Sequence, residues 1–224
     1  MSKYIPEVSG NLRKFMLHVP DVISKASGIK IFGKKIKSIV FTTDVCIIRN
    51  VNADAVIAVY PFTPQPIITQ AIMTATDVPV FCGVGGGLTQ GKRVVNLALH
   101  AEFQGCVGVV VNAPTSDEVI AKVRKTIDIP IVATVVNDTV DVDARLKAGV
   151  DIFNVSAASK TPEIVRMIRK AHPHVPIIAT GGPTDETILE TIEAGANAIT
   201  WTPPTNGEVF KDIMDAYRKN QPHP

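Results

Sequence analysis

Eight short apolar runs, rich in β-branched residues, constrain this 224-residue chain more than any other feature. They are SIVFTT (38–43), AVIAVYPF (55–62), VPVFCGV (78–84), CVGVVVN (106–112), IPIVATVV (129–136), DIFNVS (151–156), VPIIAT (175–180) and NAITWT (197–202). The runs are apolar nearly throughout, which is the pattern of parallel strands covered on both faces. Segments such as RVVNLALHAEFQ and TPEIVRMIRKAH lie between them, with apolar residues near i, i+3/i+4 and i+7, as in an amphipathic helix. A strand–helix unit repeated eight times, roughly every 20–25 residues, predicts an α/β chain folded as a (β/α)8 TIM barrel. An open doubly wound sheet is the alternative.

Local signals agree with this reading. Val78-Pro79, Ile129-Pro130 and Val175-Pro176 put proline at strand starts, where a ladder N–H is not yet needed. Thr115 with Glu118 reads as a capping box, and Thr161-Pro162 as N-cap and first helical residue. One unit is short, because DVCIIRNVNAD (44–54) leaves room for a first helix of at most about two turns. Residues 1–37 form an N-terminal extension packing on the barrel, with 38–224 as the barrel and a single domain overall. Within the extension, NLRKFMLHVPDVISKAS (11–27) reads as an amphipathic helix and IKIFGKKIK (29–37) as a hairpin-like turn.

Composition narrows the class. A net charge of +2 gives no field to recruit nucleic acid or an anionic membrane. Cys46, Cys82 and Cys106 have no C-x-x-C spacing, so a reducing compartment is expected. No signal peptide and no membrane-spanning apolar run is read, and a cytoplasmic protein is the expectation. Histidine spacings for a metal, H-x-H or H-E-x-x-H, are absent, and no metal or cofactor is implied.

In a barrel, sites are built from loops at the C-terminal strand ends. The loop TGGPT (180–184) follows the seventh strand and leads into a helix N-terminus. Gly181 and Gly182 let backbone amides approach an anion, and Thr184 either caps the helix or donates a hydroxyl. The loop TPPTNGE (202–208) follows the eighth strand, and Thr205 opens what can be a short extra phosphate-binding helix. Asp185, Glu186 and Pro183 count against an anion, and a tight turn explains the glycines equally. The third strand ends in GVGGGLTQGKR (83–93), where Gly85, Gly86 and Gly87 make a second candidate oxygen or phosphate contact, with Lys92 or Arg93 supplying charge. Its unit echoes the seventh-strand unit a little under half the chain later, as in two half-barrels.

Those glycine corners resemble the ribulose-phosphate-binding barrel superfamily, whose histidine-biosynthesis members show GGG after strand 3 and GG after strand 7. ARLKAGVDIFNVS and IIATGG…EAGANAIT also resemble N-acetylmannosamine-6-phosphate epimerases and phosphogluconate-type aldolases. The resemblance implies a phosphate-binding barrel. It also implies acid/base aspartates at the ends of strands 1 and 5, where this chain has Asp44 and Asp138. Paired carboxylates can take and return a proton; each Asp equally suits a cap or turn. Lys160, after strand 6, is a candidate Schiff-base lysine or an exposed loop lysine. The aldolases' lysine position holds Asn154 and the epimerases' holds Cys82, so neither activity transfers directly.

Asn112, Asn154, Ser156 and Thr202 are suited to hydroxyls of a sugar-like ligand, Trp201 to stacking or core filling, and Tyr60 ends a strand. The resulting expectation is a metal-independent enzyme acting on a small phosphorylated metabolite by isomerase, epimerase or lyase chemistry. A non-metal hydrolase and a non-catalytic sensor resembling glycerol-operon antiterminators are the alternatives. A homo-oligomer is left open.

Overall fold

A computed structural model describes residues 4–6, 8, 10, 12 and 17–222. An antiparallel hairpin, β1 (Ile29–Ile31) and β2 (Lys34–Ile36), precedes the barrel strands. These are β3 (Ser38–Phe41), β4 (Ala55–Ala58), β5 (Val80–Gly85), β6 (Gly108–Val111), β7 (Ile131–Val135), β8 (Ile152–Val155), β9 (Ile177–Thr180) and β10 (Ala198–Trp201). They close in the order β10-β3-β4-β5-β6-β7-β8-β9, every pair parallel, which is the (β/α)8 topology. The helices are α1 (Val45–Arg49), α2 (Pro66–Ala75), α3 (Lys92–Phe103), α4 (Asp117–Arg124), α5 (Val142–Ala148), α6 (Thr161–Ala171), α7 (Asp185–Glu193) and α8 (Asn206–Arg218).

The prolines at three strand starts work through their carbonyls. Pro79, Pro130 and Pro176 accept the amides of Val56, Val109 and Phe153 at 2.8, 2.9 and 3.0 Å. Each locks its neighbour's register where it has no N–H of its own to give. At the same edge, side chains close the first rungs. Asp54 accepts from the Ser38 amide (3.0 Å), Asp151 from Ile131 (2.8 Å) and Asn197 from Ile177 (2.9 Å). Arg124 holds Asp151 at 3.0 Å, and Arg169 holds Asn197 at 2.8 Å.

Strand alternation sorts the core into two shells. Outward residues such as Val40, Val109, Phe153 and Ala179 pack with helix residues including Val94, Ile120 and Ile168. Inward residues Ile39, Ile57, Phe81, Val110, Val132 and Ile178 pack together inside the barrel, joined by Ile29, Ile31 and Ile36 of the hairpin. The hairpin therefore fills the barrel interior from the N-terminal end. Each such buried aliphatic contributes about 1.5–3 kcal/mol.

Several local readings are corrected. Ser116, not Thr115, caps α4, accepting from Val119, and Thr115 is buried. Thr161 opens α6 as its first residue, and its hydroxyl accepts the Ala157 amide at 3.0 Å. Of the helix expected over 11–27, residues 11 and 13–16 lie outside the described residues. Its second half is a single 3-10 turn, Asp21–Lys25, set off by Pro20 and packed on α7, with Val22 and Ile23 buried. By contrast, α8 buries none of its residues, and Phe210 is 58% exposed.

Candidate binding site at the barrel mouth

The inward positions change character along the strands. Val132, Ile152, Ile178 and Ala198 are apolar and belong to the inner core. Two residues on, at the next inward level, stand Thr134, Asn154, Thr180 and Thr200. Because side chains alternate with period two, this single step turns a greasy floor into a polar ring. The ring opens into a central hollow of about 220 Å³, completed by Ser156 and Thr202, with Phe41, Ile57 and Val59 on the opposite wall. Among the described residues, no ionisable side chain lines it. Asn154 is 9% exposed and Thr200 7%. Asn154 Oδ1 and Thr200 Oγ1 are buried there without a hydrogen-bond partner.

A larger hollow, about 480 Å³, adjoins it through shared walls at Val59 and Asn112. It lies between the loop after β4, which carries Tyr60 and Phe62, and the glycine loop after β5. Gly86 and Thr89 exchange backbone hydrogen bonds (3.0 and 3.4 Å), closing a turn whose tip is Gly87 and Leu88. The amides of those two tip residues donate to no group among the described residues. Gly87 has φ +61°, and a Cβ there would meet open space. The Tyr60 hydroxyl accepts the Gln65 amide at 2.9 Å. Burial pushes the Tyr60 phenol above its ordinary value, so it stays protonated near neutrality.

A third hollow, about 290 Å³, adjoins the central one at Thr134. Asn137, Thr139, Asp141 and Arg145 line it. Arg145 is anchored, donating to Asp117 (2.9 Å) and to the Ala113 carbonyl (3.0 Å). Asp141 caps α5 through the Ala144 amide at 2.9 Å.

The residues expected from the sequence divide between this mouth and structural duties. Asn112 and Asn154 line the central hollow, and Gly85, Gly86 and Gly87 line the large one. Gly85 also clears α3, since a Cβ there would lie 2.4 Å from Val94 Cγ2. Asp138 is exposed and lines none of the three hollows, although its neighbours Asn137 and Thr139 line the third. Asp44 lines none of the three hollows; its Oδ1 caps α1, accepting from Cys46 (2.8 Å) and Ile47 (3.2 Å). The reason is phase. On β3 the inward residues are Ile39 and Phe41, so Val40, which shares Asp44's phase, faces the helices. Lys160 is exposed, at the end of a short 3-10 turn before α6.

The corner after β9 is corrected. A Cβ on Gly181 would lie 2.7 Å from Ile188 and 2.8 Å from Ile199, so that glycine serves close helix–strand packing. Its amide donates to the Thr200 carbonyl. Gly182 turns at φ +83° against Thr187. Thr184 is spent in a capping box with Thr187, and Thr205 in one with Glu208. Trp201 packs on the helix-side core instead of the mouth, because Thr200 and Thr202 hold the inward positions of β10. Cys82 likewise faces outward, 3.1 Å from Thr69 Oγ1, and the Cys82 hydrogen bond together with burial pushes the Cys106 thiol up. Sequence reasoning missed Thr180, Thr200 and Arg145. The signal for the threonines was parity: each stands two residues beyond an aliphatic inward residue.

No protein-family model matches the chain. No curated protein matches it either. Among solved structures, a Burkholderia cenocepacia J2315 protein provisionally named a phosphonomutase is 17% identical, with TM-score 0.64, over 88% of this chain and 97% of that one. A phosphonopyruvate hydrolase complexed with oxalate and Mg++ is 12% identical, TM-score 0.61, over 82% of each chain. QR15, an aldolase, is 18% identical, TM-score 0.55, over 81% of this chain and 95% of its own. At these identities the likeness is one of fold: this chain is a TIM barrel.

Proposed function

We propose that this chain is a TIM-barrel enzyme acting on a small phosphorylated metabolite by proton-transfer chemistry of the isomerase or lyase type. The observation that carries the reading is the pair of buried, unpartnered oxygens, Asn154 Oδ1 and Thr200 Oγ1, in the hollow at the C-terminal strand ends. A buried polar atom without a partner costs about 1–3 kcal/mol, a cost that a bound ligand's hydrogen bonds remove. Their position is where barrels of this kind hold their substrates.

Two further features support the reading. The unpaired Gly87 and Leu88 amides offer an anion-binding tip at the edge of the large hollow, next door to the polar ring. The phosphonomutase-named protein, the phosphonopyruvate hydrolase and the aldolase all share the scaffold. For proton transfer, Asp138, exposed between two residues that line the third hollow, is the candidate carboxylate, since that of Asp44 serves a helix cap. Tyr60, kept protonated by burial, is a candidate proton donor. Hydrolysis with Asp138 activating water fits the same groups. No cluster of three or more His, Cys, Asp or Glu forms among the described residues.

The absence of ionisable groups from the central hollow favours a second reading, a sensor that binds without converting. The test is calorimetric titration with three- to six-carbon sugar and polyol phosphates, followed by NMR of the mixtures for conversion. Binding with turnover, lost in Asp138→Asn while binding persists, supports the enzyme. Binding without turnover under all conditions supports the sensor. Binding of none of these compounds overturns both.

A further inference from the structure

The polar ring specifies what kind of group enters the barrel, and this inference rests on the reading that the mouth holds a small metabolite. We infer that the group occupying the central hollow is an uncharged, hydroxyl-bearing carbon chain, and that the hollow selects against carboxylates. Asn154 Oδ1 is an acceptor, buried and unpartnered, so it calls for a donor from the ligand. Thr200 Oγ1, two strands away on the wall of the same hollow, donates or accepts. A chain bearing several hydroxyls, each of which does both, suits the two.

Charge points the same way. Around the hollow stand Thr134, Ser156, Thr180, Thr202 and Asn112, and among the described residues no Lys, Arg or His. An ionised carboxylate entering it would leave water without a counter-ion, which is far costlier than moving a neutral hydroxyl. Arg145 lines the third hollow, which adjoins the central one, and is already committed to Asp117 and backbone carbonyls. The site therefore differs in substrate class from one that takes a 2-oxo acid.

The test uses matched probes differing only at the terminal carbon: sn-glycerol 3-phosphate against 3-phosphoglycerate, and erythritol 4-phosphate against 4-phosphoerythronate. Calorimetry on the full chain should show the alcohol of each pair binding at least about tenfold tighter. Thr200→Val should abolish that preference. Because Val removes an unpartnered buried hydroxyl, it should also raise the melting temperature by about 2–4 °C. That gain distinguishes a lost ligand contact from a damaged fold, and Asn154→Leu provides a second variant for the preference. Glycerol and erythritol against glycerate and erythronate separate this inference from the phosphate reading. Preference for the alcohols there, without any gain from phosphate, keeps this inference and sinks the phosphate reading. Phosphorylated members binding equally well with either terminus do the reverse. Tighter binding of the carboxylates, a fall in melting temperature for Thr200→Val, or no binding by either class overturns the inference.

Discussion

A β-carbon placed on Gly86 would lie 2.3 Å from the β-carbon of Asn112 and 3.1 Å from its α-carbon. Gly86 is thus bare so that Asn112, which the central and large hollows share, can stand between them. Gly86 also has φ +120°, a backbone state that L side chains rarely adopt. Gly86→Ala should cost about 2–4 kcal/mol in chemical denaturation and disturb the mouth. Gly87→Ala, left-handed but in open space, should cost only about 1 kcal/mol. Equal costs would show that conformation, not the Asn112 contact, sets the requirement.

The hairpin should behave as core. Ile36 is 1% exposed and packs with the inward residues of the barrel. Ile36→Ala should destabilise the fold by about 2–5 kcal/mol, measured by urea unfolding. Lys34→Ala, exposed at the start of the same strand, should change stability by less than about 0.5 kcal/mol.

Asp151 joins a backbone rung and an ion pair at the N-terminal edge, accepting from Ile131 at 2.8 Å and from Arg124 at 3.0 Å. Asp151→Ala should cost about 1–3 kcal/mol, since the Ile131 amide loses its acceptor. Asp151→Asn keeps an acceptor and should recover part of that loss. Hydrogen exchange at Ile131 reports the rung directly.

Burial raises the Tyr60 phenol above its ordinary value of 10.0. A raised pKa in the folded state contributes stability that is fully present below the unfolded value and lost as pH rises through the folded one. The stability difference between wild type and Tyr60→Phe should therefore be flat below about pH 9 and shrink in the alkaline range above about pH 10. Urea midpoints of the two proteins measured across that range check the slope. An unchanged difference would place the phenol in water.

The start of α8 depends on a carboxylate. The Thr205 amide, and then its hydroxyl, hold Glu208 below the usual carboxylate range. That contribution is present above the unfolded value and lost as pH falls through the lower folded one. With no buried residue to anchor α8, exchange protection in its first turn should fall on acidification below about pH 4, and Glu208→Gln should remove the pH dependence while keeping the cap.

Much of the architecture was legible in the chain itself. Eight continuous apolar runs with helical intervals admit few arrangements, because parallel strands must be covered on both faces and crossovers are right-handed. The short first helix was equally legible, since eleven residues between two strands (44–54) cannot hold more. The hydroxyls and amides at the strand ends, Asn112, Asn154, Ser156 and Thr202, were visible as residue types, and all four line the central hollow.

What the chain could not disclose was phase and neighbourhood. Whether Asp44 or Phe41 faces the axis depends on a one-residue shift, and only the closed barrel fixes that parity for β3. The two glycine corners read alike in sequence. Contact with Ile188 and Ile199 makes Gly181 a packing residue, while open space leaves Gly87 at the tip of an exposed turn. A glycine's role is set by what approaches it, and local sequence determines backbone periodicity but not which distant side chain fills the space beside it.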